Sequence, residues 1–102
     1  MSIFGWKQDP PFLVLDRHGL PVAGEGIDAA RLLPLLETLH DALERGETDY
    51  AVWGAGADRY VAIALAEGVA IIKCGADAPL TKILFSREDI RERCARLQTT
   101  KN

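Results

Sequence analysis

The side chains able to do chemistry are few: His18 and His40, Cys74 and Cys94, and a run of carboxylates at Glu37, Asp41 and Glu44. Neither histidine has a serine, cysteine or carboxylate at the spacing of a known nucleophile–base family, so a dyad would have to be assembled in space. The two histidines and two cysteines include no close pair that could nucleate a zinc site. Glu37, Asp41 and Glu44 lie three or four apart, which on a helix is the solvated face opposite a leucine stripe. Gly24-Glu25-Gly26 lacks the third glycine of a dinucleotide fingerprint, and no Lys-Ser/Thr follows Gly54 and Gly56 to make a phosphate cradle. The residues therefore predict no catalytic side chain, no metal and no cofactor, and a protein that is not an enzyme. Cys74, ending a predicted strand, and Cys94, inside a predicted helix, read as reduced, buried thiols.

The elements that would carry these residues centre on Arg59 to Cys74. Val61, Ile63 and Leu65 alternate with Ala62, Ala64 and Ala66, which is the period of a strand and not of a helix. The bulky face can fill a core. The alanine face is apolar but nearly flat, so another layer must cover it closely. Glu67-Gly68 is the punctuation before Val69 to Cys74 resumes the β-branched pattern, so the two strands form a hairpin. Upstream, Phe12 to Leu15 is a strand closed by the turn Asp16-Arg17-His18-Gly19, with Leu20 to Ala23 as its return and Gly24-Glu25-Gly26 as a loop. Thr48 to Gly56 supplies a further strand, through Asp49-Tyr50-Ala51-Val52-Trp53-Gly54, with Ala57-Asp58 turning it into the central hairpin; Gly54 and Gly56 suggest a bulge or a close backbone approach.

Asp28 to Arg45 reads as a helix, with Asp28 as N-cap and Gly46 as its stop. Pro34 either kinks it or opens a shorter helix. Leu32, Leu35, Leu36, Leu39 and Leu43 form one face, and Leu33 and Ala42 broaden it beyond what one sheet contact requires. Two readings stay open: deep burial within the chain, or burial between the chain's own sheet and a partner. For residues 79–85 there are also two. Pro79 could open a long helix carrying Leu80, Ile83, Ile90, Cys94 and Leu97, or an extended Thr81 to Phe85 could end at Ser86, where Ser86-Arg87-Glu88-Asp89 resembles a helix start; helical spacing favours the long helix. Phe4 and Trp6 belong to an extended arm over residues 1–11, because Pro10-Pro11 cannot be helical. Residues 98–102 read as a frayed tail.

A chain of 102 residues makes one domain, here residues 12–97, able to bury a core without metal or disulfide. With 48% apolar and 26% charged residues it falls outside the disordered class. A net charge of −3, with Arg87, Arg91, Arg93 and Arg96 interleaved among Glu88, Asp89 and Glu92, argues against nucleic-acid binding. The start, Met-Ser-Ile-Phe-Gly-Trp-Lys, has neither a basic run nor a long apolar core, so no membrane association and a cytoplasmic setting are expected. The fold class is α/β (α+β): a sandwich with one mainly antiparallel five-stranded sheet in the order β-β-α-β-β-β-α.

Three stretches in this order resemble the roadblock/LC7 domain family. Phe12 to Ala23, running through Asp16-Arg17-His18-Gly19-Leu20-Pro21, is similar to its first hairpin. Tyr60 to Cys74 is similar to its central hairpin, and Pro79-Leu80-Thr81-Lys82-Ile83-Leu84 resembles the opening of its last helix. The chain departs from the family in having the Phe4/Trp6 arm in place of an N-terminal helix, and in carrying Pro34. The resemblance implies a profilin-like sandwich and a non-catalytic homodimeric platform, joined through the middle helix and the following strand. Leu32, Leu33, Leu36, Leu43, Tyr50, Ala51, Val52 and Trp53 are the interface residues it implies. Its implied partners are a Ras-like small GTPase, which it would bind or regulate in signalling, or a scaffold complex. Two other classes remain open from the residues: a profilin- or PAS-like small-ligand sensor, with the alanine face lining a cavity, and a small immunity or inhibitor protein.

Overall fold

A computed structural model describes residues 4, 6, 8–28, 49–55, 57–76 and 78–99. Over these the chain is α+β, with one five-stranded antiparallel sheet and two helices: β1 (Phe12–Asp16), β2 (Pro21–Glu25), β3 (Tyr50–Ala55), β4 (Asp58–Leu65), β5 (Gly68–Lys73), α1 (Leu80–Phe85) and α2 (Arg87–Thr99). The sheet order is β2-β1-β5-β4-β3. The helix expected from Asp28 to Arg45 falls on residues outside those described, apart from Asp28. The described order is thus five strands followed by two helices.

Register divides the side chains between two faces. Phe12, Val14, Val61, Ile63, Leu65, Ala70 and Ile72 join Ile83, Ile90 and Cys94 of the helices in one buried cluster. Leu13, Leu15, Ala62 and Ile71 form the other, with Ile27, Tyr60 and Val69 packed against it. The alternation read in β4 is this division, and Ala62 on the flat face is fully buried. Each large side chain so enclosed contributes about 1.5–3 kcal/mol through removal from water. The interior strand β1, between β2 and β5, is buried on both faces, which is why Phe12 to Leu15 is continuously apolar.

Several boundaries differ from the sequence reading, each for a local reason. The first hairpin closes as expected: Gly19 N donates to Asp16 O at 3.0 Å, and the Asp16 carboxylate accepts from His18 N and Leu20 N. Gly19 takes φ +79° there. Gly24 and Glu25, however, lie in β2 and not in a loop, because Gly24 pairs with Leu13 and Glu25 with Phe12. A Cβ on Gly24 would stand 2.9 Å from Leu13 Cδ1 and 3.0 Å from Phe12 O, so the glycine permits a close strand contact. The register slips between Val14 and Leu15, so the irregularity falls in this hairpin. Of the two glycines where a bulge was expected, Gly56 lies outside the described residues, while Gly54 pairs regularly with Arg59 and a Cβ there would meet nothing closer than 3.6 Å; Asp58, expected in the turn, already pairs with Ala55 as the first residue of β4. The central hairpin turns at Ala66-Glu67, one residue early, since Leu65 pairs with Gly68.

The expected long helix is two. Pro79 is the N-cap of α1 and not its first residue, with extended backbone at φ −66°, ψ 157°. At Ser86 the N–H is shared between Lys82 O and Ile83 O, while Ser86 O accepts from Ile90 N at 2.9 Å to start α2. Both readings of residues 79–85 therefore held something: the segment is helical, and a new helix does begin after Ser86. The second helix continues to Thr99, into the stretch read as frayed tail. Glu88 and Asp89 in its first turn and Arg96 in its last complement the helix dipole. Phe4 of the arm is buried in the helix-side cluster. Among the described residues no helix is long and apolar enough to cross a membrane.

Candidate interaction face

β3 lies at the margin of the sheet, paired with β4 and with no other described strand. Its hydrogen-bond parity follows from two distances. Ala64 N donates to Asp49 O at 2.9 Å, which makes Asp49 and Ala64 a bonded pair; Cys74 N donates to Arg59 O at 2.8 Å, so Arg59 bonds toward β5. In an antiparallel ladder bonded and non-bonded pairs alternate. Ala51 opposite Ala62 and Trp53 opposite Tyr60 are therefore bonded pairs, whereas Val52 opposite Val61 and Gly54 opposite Arg59 are not. Val52 and Gly54 consequently direct their N–H and C=O away from β4, as an edge strand does toward solvent or a further strand.

The start of this margin is pinned by α2. Arg91 Nη2 lies 2.9 Å and Arg87 Nε 3.4 Å from Asp49 Oδ2. Arg91 Nε also donates to Ala64 O at 3.0 Å, and its Nη1 to Glu88 Oε1 at 3.1 Å. Arg87 Nη1 donates to Leu84 O at 2.8 Å, and its guanidinium carbon sits 5.2 Å from the centre of the Tyr50 ring. Arg91 chiefly, with Arg87, holds the Asp49 carboxyl below its ordinary value, against a smaller desolvation that works the other way. The Asp49 side chain is 44% exposed, so solvent screens much of this attraction. Geometrically the cluster matters more: two guanidinium groups fix the end of an edge strand against a helix.

Two exposed apolar side chains adjoin this corner in the chain. Val52 is 41% exposed two residues beyond Tyr50, and Phe85, two residues before Arg87, is 94% exposed. A cleft of about 420 Å³ runs beside Phe85, lined by Thr81, Leu84, Phe85, Arg87 and Glu88.

Of the interface residues inferred from the sequence, Leu32, Leu33, Leu36 and Leu43 lie outside the described residues. Tyr50, Ala51, Val52 and Trp53 all lie on the edge strand, with Tyr50 and Ala51 half-buried. Asp49, Arg87, Arg91 and Phe85 were missed as parts of this corner. Of the arginines interleaved with carboxylates, Arg93 and Arg96 pair with Asp89 and Glu92 four residues away along the helix. Arg87 and Arg91 instead reach back to a residue some forty positions earlier in the chain, a pairing that spacing within one helix does not reveal.

The chemistry-bearing residues are dispersed. His18 is exposed in the first turn, and His40 lies outside the described residues. Among the described residues no polar or charged side chain is buried, and no group of three metal-ligating side chains converges. Cys94 is buried in the helix-side cluster, and burial pushes its thiol up to about 12. Cys74 is only half-buried; burial raises it too, with Arg59 opposing. Compared with family models and with curated proteins, the chain matches none.

Proposed function

We propose that this protein is a non-catalytic interaction module that pairs with a second copy along β3, in the manner of the roadblock/LC7 domains its sequence resembles. The observation that carries the reading is the margin itself. Val52 and Gly54 offer outward backbone groups, Val52 adds an exposed apolar side chain, and the Asp49–Arg87–Arg91 cluster holds the strand end in place. Antiparallel pairing of two such strands about a two-fold axis satisfies both copies with the same surface. The sheet order and the hairpins at Asp16–Gly19 and Leu65–Gly68 agree with a profilin-like sandwich. A Ras-like small GTPase or a scaffold subunit in the cytoplasm is the partner class that the resemblance suggests for the paired platform.

Light scattering on the purified chain at micromolar concentration is expected to give about twice the chain mass of 11.2 kDa. A chain that stays at 11.2 kDa at high concentration defeats the reading. The non-catalytic part fails separately: turnover of generic ester, phosphate or nucleotide substrates that disappears in His18→Ala would overturn it.

A further inference from the structure

Val52 and Gly54 share one face of β3. Residues directly opposite in a ladder point the same way, and Val52 stands opposite Val61 of the helix-side cluster, so both positions lie on the helix side of the sheet. Val52 is an exposed apolar side chain there, and Gly54, also exposed, carries none.

Nothing described in its own chain requires a glycine at position 54. The positive φ angles fall at Gly19, Gly26 and Gly68, and the pairing of Gly54 with Arg59 is regular. A Cβ would meet only the Asp58 carbonyl oxygen at 3.6 Å, an ordinary contact, whereas Gly24 answers a close approach inside the sheet. Glycine within a strand costs backbone entropy and packing, and where no bulge accounts for it, it marks the approach of another group. At Gly54 that group comes from outside the chain, on the side to which its N–H and C=O point. The opposite end of the strand is already occupied: Arg87 and Arg91 hold Asp49, and Arg87 lies 5.2 Å from the centre of the Tyr50 ring. A mate strand therefore has residues 51–55 to pair with.

We infer that a second copy pairs with β3 in a register centred on Trp53, so that Val52 of each copy lies over the partner's Gly54. The inference rests on the pairing proposed above and adds its register. A two-fold axis normal to the sheet keeps the helix sides of both copies together and sets outward-directed residues against each other. Val52 and Gly54 then meet twice, each meeting exchanging two backbone bonds, and each exposed valine covers a position without a side chain. Centring on Val52 would instead set valine against valine and bring the partner's Gly54 to Tyr50, at the end that Arg87 covers. The strand accepted is thus one with valine and glycine two apart, which this chain itself supplies.

The test is cross-linking under mild oxidation in the full chain with the half-buried Cys74 replaced by serine, at a concentration where light scattering reports a pair. Residues opposite each other in a bonded pair have Cα atoms about 5.5 Å apart, within disulfide range, whereas a residue two positions off the match lies beyond about 7 Å. Val52→Cys chains mixed with Gly54→Cys chains should form covalent dimers at least tenfold faster than either variant alone. Val52→Cys linking to itself at that rate puts the axis at Val52 and overturns the register while the pairing stands. Where the side chain added at position 54 prevents pairing, Trp53→Cys decides: on the axis it should link to itself, and a paired chain in which it does not link overturns the register. An unsubstituted chain that stays monomeric defeats the pairing itself, and the register with it.

Discussion

Proline substitution at adjacent positions of β3 separates the inner from the outer side of the strand. Ala51→Pro removes an N–H that the ladder parity directs at the C=O of Ala62, a fully buried residue. The loss of that bond, the stranded carbonyl and the clash of the ring with the neighbouring strand together cost about 3 kcal/mol. Val52→Pro removes an N–H that points away from β4, from a side chain already 41% exposed, and costs about 1 kcal/mol. The difference of about 2 kcal/mol corresponds to a melting-temperature gap of roughly 8–16 °C for a domain of this size. Urea unfolding at sub-micromolar chain concentration, where association contributes least, should rank wild type, Val52→Pro and Ala51→Pro in that order. Light scattering should find Val52→Pro monomeric at concentrations where the wild type is paired. Equal destabilisation by the two prolines refutes the assigned parity. A Val52→Pro chain that still pairs refutes β3 as the contact.

Three other outcomes follow from local geometry. Gly24→Ala places a Cβ against Phe12 O and Leu13 Cδ1 and should lower stability by about 1–3 kcal/mol, read as a shifted urea midpoint with an unchanged slope. Cys94, buried and with its thiol pushed up to about 12, should resist alkylation at pH 8 until the chain unfolds, whereas Cys74, half-buried, reacts sooner; two equally fast thiols would contradict the packing. Because the folded Asp49 carboxyl lies below its ordinary value of 3.8, its contribution is present above that value and fades as pH falls through the lower folded one. Asp49→Asn should therefore flatten the acid limb of the stability curve, by no more than about 1 kcal/mol given the exposure, and a limb as steep as the wild type's would assign no role to the pair.

What the sequence made legible was whatever depends on near neighbours. Strand alternation in Val61 to Leu65, the Asp16–Gly19 turn and the buried apolar run of β1 each follow from residues a few positions apart. The turn at Ala66-Glu67 was displaced by one because Gly68 looked like a turn residue but takes the first strand position, opposite Leu65. The helix break at Ser86 lay between two partial signals, helical spacing of apolar residues and a start motif, and spacing alone favoured continuity. The candidate face was half legible: its strand could be picked out, but its anchoring could not. Asp49 meets Arg87 and Arg91 only after the sheet and α2 have come together, and no local pattern records that meeting.

The two margins of the sheet are unlike. β2 at the far side begins with Pro21, which has no N–H to offer, carries a register slip beside Val22 and ends at Glu25. Proline, irregular pairing and charge are the features that discourage strand addition. A molecule receptive at one border and refractory at the other can extend its sheet once, after which the composite presents only refractory borders. Filaments need a receptive border to survive each addition; the pairing proposed along β3 would consume it, so growth along the sheet would stop at ten described strands, twice the five described in a single chain.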